Sequence, residues 1–551
     1  MKNNLLTSFR SLFLLLGLVL TISIAKAQTF SHQQNLNEFL ERMSQKGFVD
    51  YNDLMKPVDR KQIFSLLQAL RNNNQLNPVE KKELSFYIKG YLLEDSSFMP
   101  NQSVAPSFKH FFKQPFDQQH LFLYKDKDFG WMVDPMVQIS EQVVNGNSIS
   151  SKALGLQFIG YIGKHIGFQM SYQDLNETGR FDSLRMDNDL PGVVRKQSTD
   201  PRLFNYSEMN ATLSYRFNKG TVTVGQDQNI FGYGKSGNLV LSNKAPAYPF
   251  YAFNYQPTKW LKFNYMHAWL QSGVIDSTAS YPTGNTVYGG LREKFVPKFY
   301  AMHSIEITAM PGLKLHLGES IVYTDQLEPA YMVPVTFFKA FDNQKYGDNI
   351  LTGSNGQLFL GFSSRNQISK THVYGQLFID EIRLSSMFST AKSRNQLGFQ
   401  LGMSRADVLI PNLTLSAEYT RINPFVYRNF LPAQNYTNAN YSLGDWMGSN
   451  ADRLWLSANY HPIANLSLTG FMMMMSKGGA GTLEQQYFAQ PQPAFGFDPQ
   501  YKRTKLGLEA SYSLWSNVHF KFTCANTYQK TGQGTSKQLP EASLGIYWNK
   551  F

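Results

Sequence analysis

The chain has 551 residues, a formal net charge of +12, ten histidines and a single cysteine, Cys524. One cysteine excludes an intramolecular disulfide, and no His pair has H-x-x-x-H or similar spacing, so no metal centre is expected. A mean hydropathy of −0.33 excludes a bundle of apolar membrane helices, yet 42 Phe, 30 Tyr and 7 Trp are more aromatic residues than an ordinary soluble core demands.

Lys2 and Arg10, the apolar run "LFLLLGLVLTISIA" and the A-x-A pattern Ala25-Lys26-Ala27 read as a signal peptide over residues 1–27. A membrane anchor would need about 20 apolar residues, and this run is shorter. Removing the leader takes away Lys2, Arg10 and Lys26 and lowers the net charge to +9. Residues 28–112 then read as a helical periplasmic domain and linker. "LNEFLERM", "VDRKQIFSLLQALR" and "NPVEKKELSFYIKGYLLE" place apolar residues at helical spacing, among them Ile63, Leu67, Leu70, Leu84 and Ile88. Asn77, Pro78 and Glu80 form a helix start: a side-chain cap, a preset φ and an acid at the positive dipole end. Three helices make a marginal core alone, which favours docking on the mouth of a larger body over an independent binding module.

From residue 113 onward the period changes to two. "NLTLSAEYT" puts Leu413, Leu415, Ala417 and Tyr419 on one face, and "NVHFKFTC" aligns Val518, Phe520, Phe522 and Cys524. Short connections such as "FNKG" (217–220), "QPTK" (256–259), "MPG" (310–312), "IPN" (410–412), "HPIAN" (461–465) and "WSN" (515–517) alternate with long ones, roughly 173–209, 227–246, 271–300, 324–356, 421–451, 475–503 and 528–539. A soluble sandwich has no reason to sort its loops by end. A membrane barrel does, with tight periplasmic turns and extended outer loops, and its alternating strands average to a polar hydropathy. The expected fold is all-β: a transmembrane antiparallel β-barrel of about 18 strands over residues 113–551, in a bacterial outer membrane and in contact with its lipid. Its first strand lies near 132–141 and its last is "EASLGIYWNKF".

Catalytic chemistry finds no support. There is no G-x-S-x-G, and Asp380 and Glu381 are adjacent, so a strand points them to opposite faces. The glycine stretches lack phosphate-loop spacing. No enzyme activity, no cofactor and no nucleic-acid partner is expected. His267 sits on the otherwise apolar face of "LKFNYMHAW" and reads as an interfacial residue near the aromatic girdle rather than an acid-base group.

Strand parity sends "FGYGKSGNLVLSNKAPAYPF" (231–250) to the outer side, at the mouth or folded into the lumen. Flat rings at Phe231, Tyr233 and Tyr248 suit the C–H faces of sugars, the amides of Asn238 and Asn243 suit vicinal hydroxyls, and Lys235 and Lys244 suit uronate or phosphate. A self-packed plug loop explains the same composition equally well.

This segment resembles the signature of the Wzi capsule-assembly family, and more closely its branch of gliding-motility proteins called RemB. "YGQLFIDEIRLS" (374–385), "NQLGFQLGM" (395–403) and "AEYTRINPFVYRNFLPAQNYTNANYSLGDWMGSNADRLWL" (417–456) carry the same resemblance. It implies an outer-membrane barrel acting as a surface lectin that holds capsular or extracellular polysaccharide, with a link to gliding motility and to periplasmic or motility machinery. Where the capsule branch has tryptophans and an arginine in the signature, Phe231, Tyr233 and Lys244 stand here. The leading expectation is therefore polysaccharide binding by Phe231, Tyr233, Lys235, Asn238, Asn243, Lys244 and Tyr248, with Arg421, Tyr427, Arg428, Asp445 and Trp446 from the 421–451 loop. A passive porin with an anion-selective lumen is the alternative, and a surface interaction protein with a protein partner is the third.

Overall fold

The computed structural model describes residues 30–31, 34–95 and 120–549, apart from 180–187, 197–199, 201, 285–288, 348–350, 383, 387, 390–391, 393 and 516. The expected signal peptide, most of the linker and the terminal Phe551 lie outside the described residues. Eighteen antiparallel strands close into a barrel. The first, Phe129–Val144, joins the last, Ser536–Trp548, through a register running from Val144 opposite Glu541 to Val137 opposite Trp548. A short strand, Phe122–Lys125, pairs with the lower part of the first and extends this seam. An even strand count returns the last strand to the end where the first began.

Alternation along each strand decides which residues face out. Leu154, Leu213, Val224, Leu317, Leu401, Leu508 and Leu544 are each more than half exposed on the outer wall. Their sequence neighbours point into the lumen, where Ser214, Thr223, Ser304 and Glu418 are buried. This is the apolar belt that a bilayer requires of a barrel exterior. Cys524 belongs to it, exposed and opposite Leu508 and Ala542 in the ladder.

One end of the barrel carries only short connections, the longest being 406–412. The other carries the long segments 180–202, 228–247, 276–294, 325–354, 382–395, 423–450 and 478–500. Two expectations need correction. The 528–539 stretch is mostly strand, closed by a four-residue turn at 532–535, and the first outer connection is the Asn145–Gly146 turn. Here the strand ends "TYQKT" and "SKQLP" are polar on both faces, so no alternation marks them, and the ladder runs further than the pattern. Conversely, 382–395 is an additional long connection.

His267 faces outward but is fully covered. His267 meets the Tyr323 hydroxyl of a nearby strand at 2.8 Å and lies among the strand residues Tyr251, Trp269, Phe299 and Tyr323, and the 325–354 connection lays Tyr331 over the same cluster. A short helix, Phe338–Tyr346, seats Phe338 in this outer satellite cluster. His267 is thus a buried, hydrogen-bonded member of the girdle.

Before the barrel come three helices, α1 (Gln34–Gln45), α2 (Arg60–Arg71) and α3 (Pro78–Ile88). Asn77 caps α3: its Oδ1 accepts from Val79 and Glu80 N–H, while Glu80 accepts from Asn77 N–H, closing a capping box. Leu36, Phe39, Leu40, Ile63, Leu67, Leu70 and Leu84 form their common core. The unit sits in the short-turn mouth, held by ion pairs. Arg365 meets Asp53 at 2.6 Å, Lys314 meets Asp50 at 2.8 Å, and Arg216 pairs with Asp59. Asp407, in the 406–412 turn, accepts Lys46 of the domain at 2.8 Å and Lys370 of the wall at 2.9 Å. Partial burial pushes the Asp407 pKa up, but the hydrogen bonds from Lys46, the Asn412 N–H and Lys370 outweigh it and hold it at about 2.

Candidate functional site: the outer loops and the lumen they enter

The local chemistry of 231–250 dictates close backbone approach. Gly232 has φ +137°, a region that favours glycine, and a methyl at Gly234 would stand 1.8 Å from the Gly237 carbonyl oxygen. A methyl at Gly237 would stand 2.3 Å from the Asp445 carboxylate. The glycines let this loop fold inward and pack tightly. It descends the lumen until Ile230–Phe231 pairs as a two-residue ladder with Met55–Lys56 of the helical domain. A long connection and the helical domain therefore meet inside the barrel, and Gly232 N–H donates to the Leu54 carbonyl at 2.8 Å.

The 423–450 loop interlocks with it. Tyr427 Oη donates to the Leu239 carbonyl at 2.6 Å and Tyr436 Oη to the Val240 carbonyl at 2.9 Å. Ser242 N–H donates to the Leu443 carbonyl at 2.8 Å, and Trp446 Nε1 to the Ser236 carbonyl at 2.9 Å. At the centre Arg453 grips Asp445 through both guanidinium nitrogens, at 3.0 and 2.8 Å, and its Nε donates to Ser236 Oγ at 2.8 Å. The pair is entirely buried, and a bidentate, charge-assisted contact of this kind fixes the two loops in register. Glu418 completes the knot, accepting from Lys235 N–H at 2.7 Å and from Tyr374 Oη at 2.5 Å.

Most of the residues expected to touch a ligand are consequently part of this plug. Phe231 is fully buried against Phe359, ring centroids 5.0 Å apart, and Tyr233 lies edge-on to His372 at 5.7 Å. Asn238, at 6% exposure, turns its Oδ1 back to Gly234 N–H at 2.9 Å. Lys244, at 2%, donates to the carbonyls of Asn188 and Leu190 at 2.8 and 2.9 Å. Tyr248 is buried in the same cluster, as are Tyr427 and Trp446. Asp445 holds Arg453, and Lys235 pairs its ammonium with Glu41 of α1. These side chains are turned to the protein interior and bonded within it. The reason lies in packing: their polar partners are groups of this same chain, some near in sequence, as Gly234 is to Asn238, and others about 190 residues away, as Leu239 is from Tyr427.

Three of the expected residues remain at the surface. Asn243 is exposed. Arg421 stacks over Phe495 with its guanidinium carbon 3.7 Å from the ring centroid. Arg428 donates to the Ala480 and Gly481 carbonyls and lies over Phe425 at 6.0 Å. Around them the 478–500 loop contributes partners the sequence reading did not single out. Phe430 packs edge-on to Tyr487 at 5.6 Å, Phe488 is 71% exposed, and Arg394 donates to the Tyr487 carbonyl. The spacing of Phe488 and Phe495 within a long outer loop was the available signal. The external end thus carries arginines laid on aromatic rings, held by loops that are themselves tied into the lumen.

No protein-family model matches the chain, and no curated protein sequence does. Among solved structures it is similar to Wzi, described as an outer-membrane protein involved in group 1 capsule assembly in Escherichia coli and as a carbohydrate-binding β-barrel. The identity is 12%, the match covers 95% of this chain and 99% of that one, and the TM-score is 0.57. Pseudomonas aeruginosa OprD matches at 10% identity over 76% of this chain and 94% of its own, with a TM-score of 0.42. OpdK of the same organism, solved with vanillate, matches at 10% over 76% and 98%, also at 0.42. The likeness to Wzi is one of fold, from the helices in the mouth through the whole barrel. The closed barrel with its apolar outer belt belongs in a bacterial outer membrane.

Proposed function

We propose that this barrel is a non-enzymatic surface lectin, exported with residues 1–27 removed, that binds capsular or extracellular polysaccharide on its outer loops. The observation that carries the reading is the external arginine–aromatic surface: Arg421, near the outer end of the Leu413–Ile422 strand, over Phe495, and Arg428 over Phe425 in the 423–450 loop that the buried Arg453–Asp445 pair anchors. Anchoring matters because a surface already ordered loses little conformational entropy when a chain of sugars docks. Guanidinium groups donate paired hydrogen bonds to uronate or phosphate, and the exposed ring of Phe488 offers a flat apolar face. The similarity in fold to a barrel described as carbohydrate-binding supports the same reading.

The inward loops favour this reading over the porin alternative, because the segments around Phe231 and Met447 pack into one buried hydrophobic cluster. The decisive measurement is binding of the purified protein to the polysaccharide of the producing cell. Arg421→Ala/Arg428→Ala is expected to weaken it at least tenfold at low salt, and the difference from the natural protein should shrink as salt screens these partly exposed charges. Undiminished binding by that variant removes the outer surface from the mechanism. A large, steady conductance in planar bilayers favours the porin instead.

A further inference from the structure

The helical domain does not fill the periplasmic half of the lumen. Between α2 and the inner wall built by strands from Leu203 to Thr324 lies a cavity of about 760 Å³. Its rim, at the short-turn end, includes the exposed Gln62, Lys219 and Lys259. Its floor is the buried group Thr223, Asp227, Asn229 and Phe250. Gly220–Asp227 spans the depth, roughly 23 Å along the strand at about 3.3 Å per residue. Asn229 stands at the root of the inward loop, directly before the Ile230–Phe231 segment that pairs with the domain. The exposed rim lies at the short-turn end, and the root of the inward loop lines the opposite side of the space.

Its lining is strongly basic. Seven Lys and Arg side chains line it against four Asp and Glu. Lys314 and Arg216 are consumed by Asp50 and Asp59, and Lys56 is held by Asp53 at 3.3 Å. Lys259 and Lys262 have no carboxylate within 4 Å among the described residues, although Lys262 stands directly across the ladder from Glu306. Asn52 donates to one oxygen of Glu306 at 2.5 Å. The other oxygen and Arg216 Nε are buried with no hydrogen-bond partner, a costly arrangement for a cavity unless something supplies one. A cleft of one prevailing sign between low-dielectric walls concentrates counter-ions, and the volume is within the range of small-ligand sites.

We infer that this cavity is a second binding site, entered from the periplasm, for an anionic, hydroxyl-rich ligand of oligosaccharide size. Its carboxylate or phosphate groups meet Lys259 and Lys262, its hydroxyls meet Asn229 and Glu306, and an apolar edge rests on Phe250. The site is physically separate from the outer arginine–aromatic surface and does not depend on it. The shared chemistry has two sources, a uronate-bearing polysaccharide and a phosphodiester polyol.

The test is calorimetric titration of the full mature protein in detergent, in an Arg421→Ala/Arg428→Ala background so that the outer surface does not contribute. The probes are tetragalacturonate, a glycerol-phosphate oligomer, and neutral maltotetraose. At least one anion is expected to bind ten times more tightly than maltotetraose, and which one binds identifies the source. Lys259→Gln/Lys262→Gln is expected to weaken it tenfold or more, and Thr223→Trp, which fills the cavity, to abolish it. The inference is overturned if neither anion binds, if maltotetraose binds as well, or if the lysine variant, folded by its circular dichroism, binds normally. If the natural protein does not bind the producing cell's polysaccharide while this site binds its anion, the lectin reading alone falls.

Discussion

Replacing Asp445 by alanine is expected to loosen the plug without dissolving the barrel. Asp445 is fully buried and accepts both guanidinium contacts of Arg453, at 3.0 and 2.8 Å, as well as Met447 N–H at 3.0 Å. Removing one partner of a buried ion pair costs about 3–5 kcal/mol, because the other charge is left uncompensated. Glu418 stands 3.9 Å from the Arg453 guanidinium and offsets part of that loss, which puts the cost near the lower bound. About 3 kcal/mol corresponds to roughly a hundredfold shift toward open loops. Hydrogen exchange reads this directly. Amides of 228–247, including Phe231 N–H bonded to Leu241 O and Ser242 N–H bonded to Leu443 O, should exchange about a hundred times faster, while those of the Leu413–Ile422 strand hold. Asp445→Leu combined with Arg453→Met should restore most of the protection, since exchanging both charges for apolar groups of similar volume is close to neutral. Unchanged protection in the single variant, or no recovery in the double one, would refute the idea that this pair fastens the loops together.

Three further outcomes follow from the same geometry. Gly234→Ala should destabilise the inward loop by about 1–3 kcal/mol, because its methyl meets backbone 1.8 Å away, and limited proteolysis of 228–247 should accelerate accordingly. The Asp407 carboxylate, held at about 2 against an ordinary value of 3.8, contributes docking stability that is complete above pH 4 and is lost as pH falls from 4 toward 2. The helical signal should therefore melt at lower temperature across that window in the natural protein and show a shallower dependence in Asp407→Asn; equal slopes would contradict the assignment. Cys524 on the outer belt should react with a lipid-soluble maleimide in the membrane and resist a charged one, whereas rapid labelling by the charged reagent would reverse the strand register.

The barrel was legible in the chain because its signals are local. Leu413, Leu415, Ala417 and Tyr419 alternate with polar neighbours whatever happens elsewhere, and a bilayer on one side with a polar lumen on the other selects that pattern. The cap at Asn77 and the apolar spacing of α2 are equally local, and both helices form where the spacing places them. Strand ends were less legible at 528–539, where residues above the bilayer are polar on both faces. The direction of the long loops was not legible at all. "FGYGKSGNLVLSNKAPAYPF" has the composition of a ligand loop and of a plug, and only contacts with Tyr427, Leu443 and Asp445, each about 200 residues distant, decide for the plug. Burial of Phe231 or Lys244 is a property of where the chain returns. A ring or ammonium carries no mark in the sequence saying whether its partner will be a sugar or a carbonyl of its own chain.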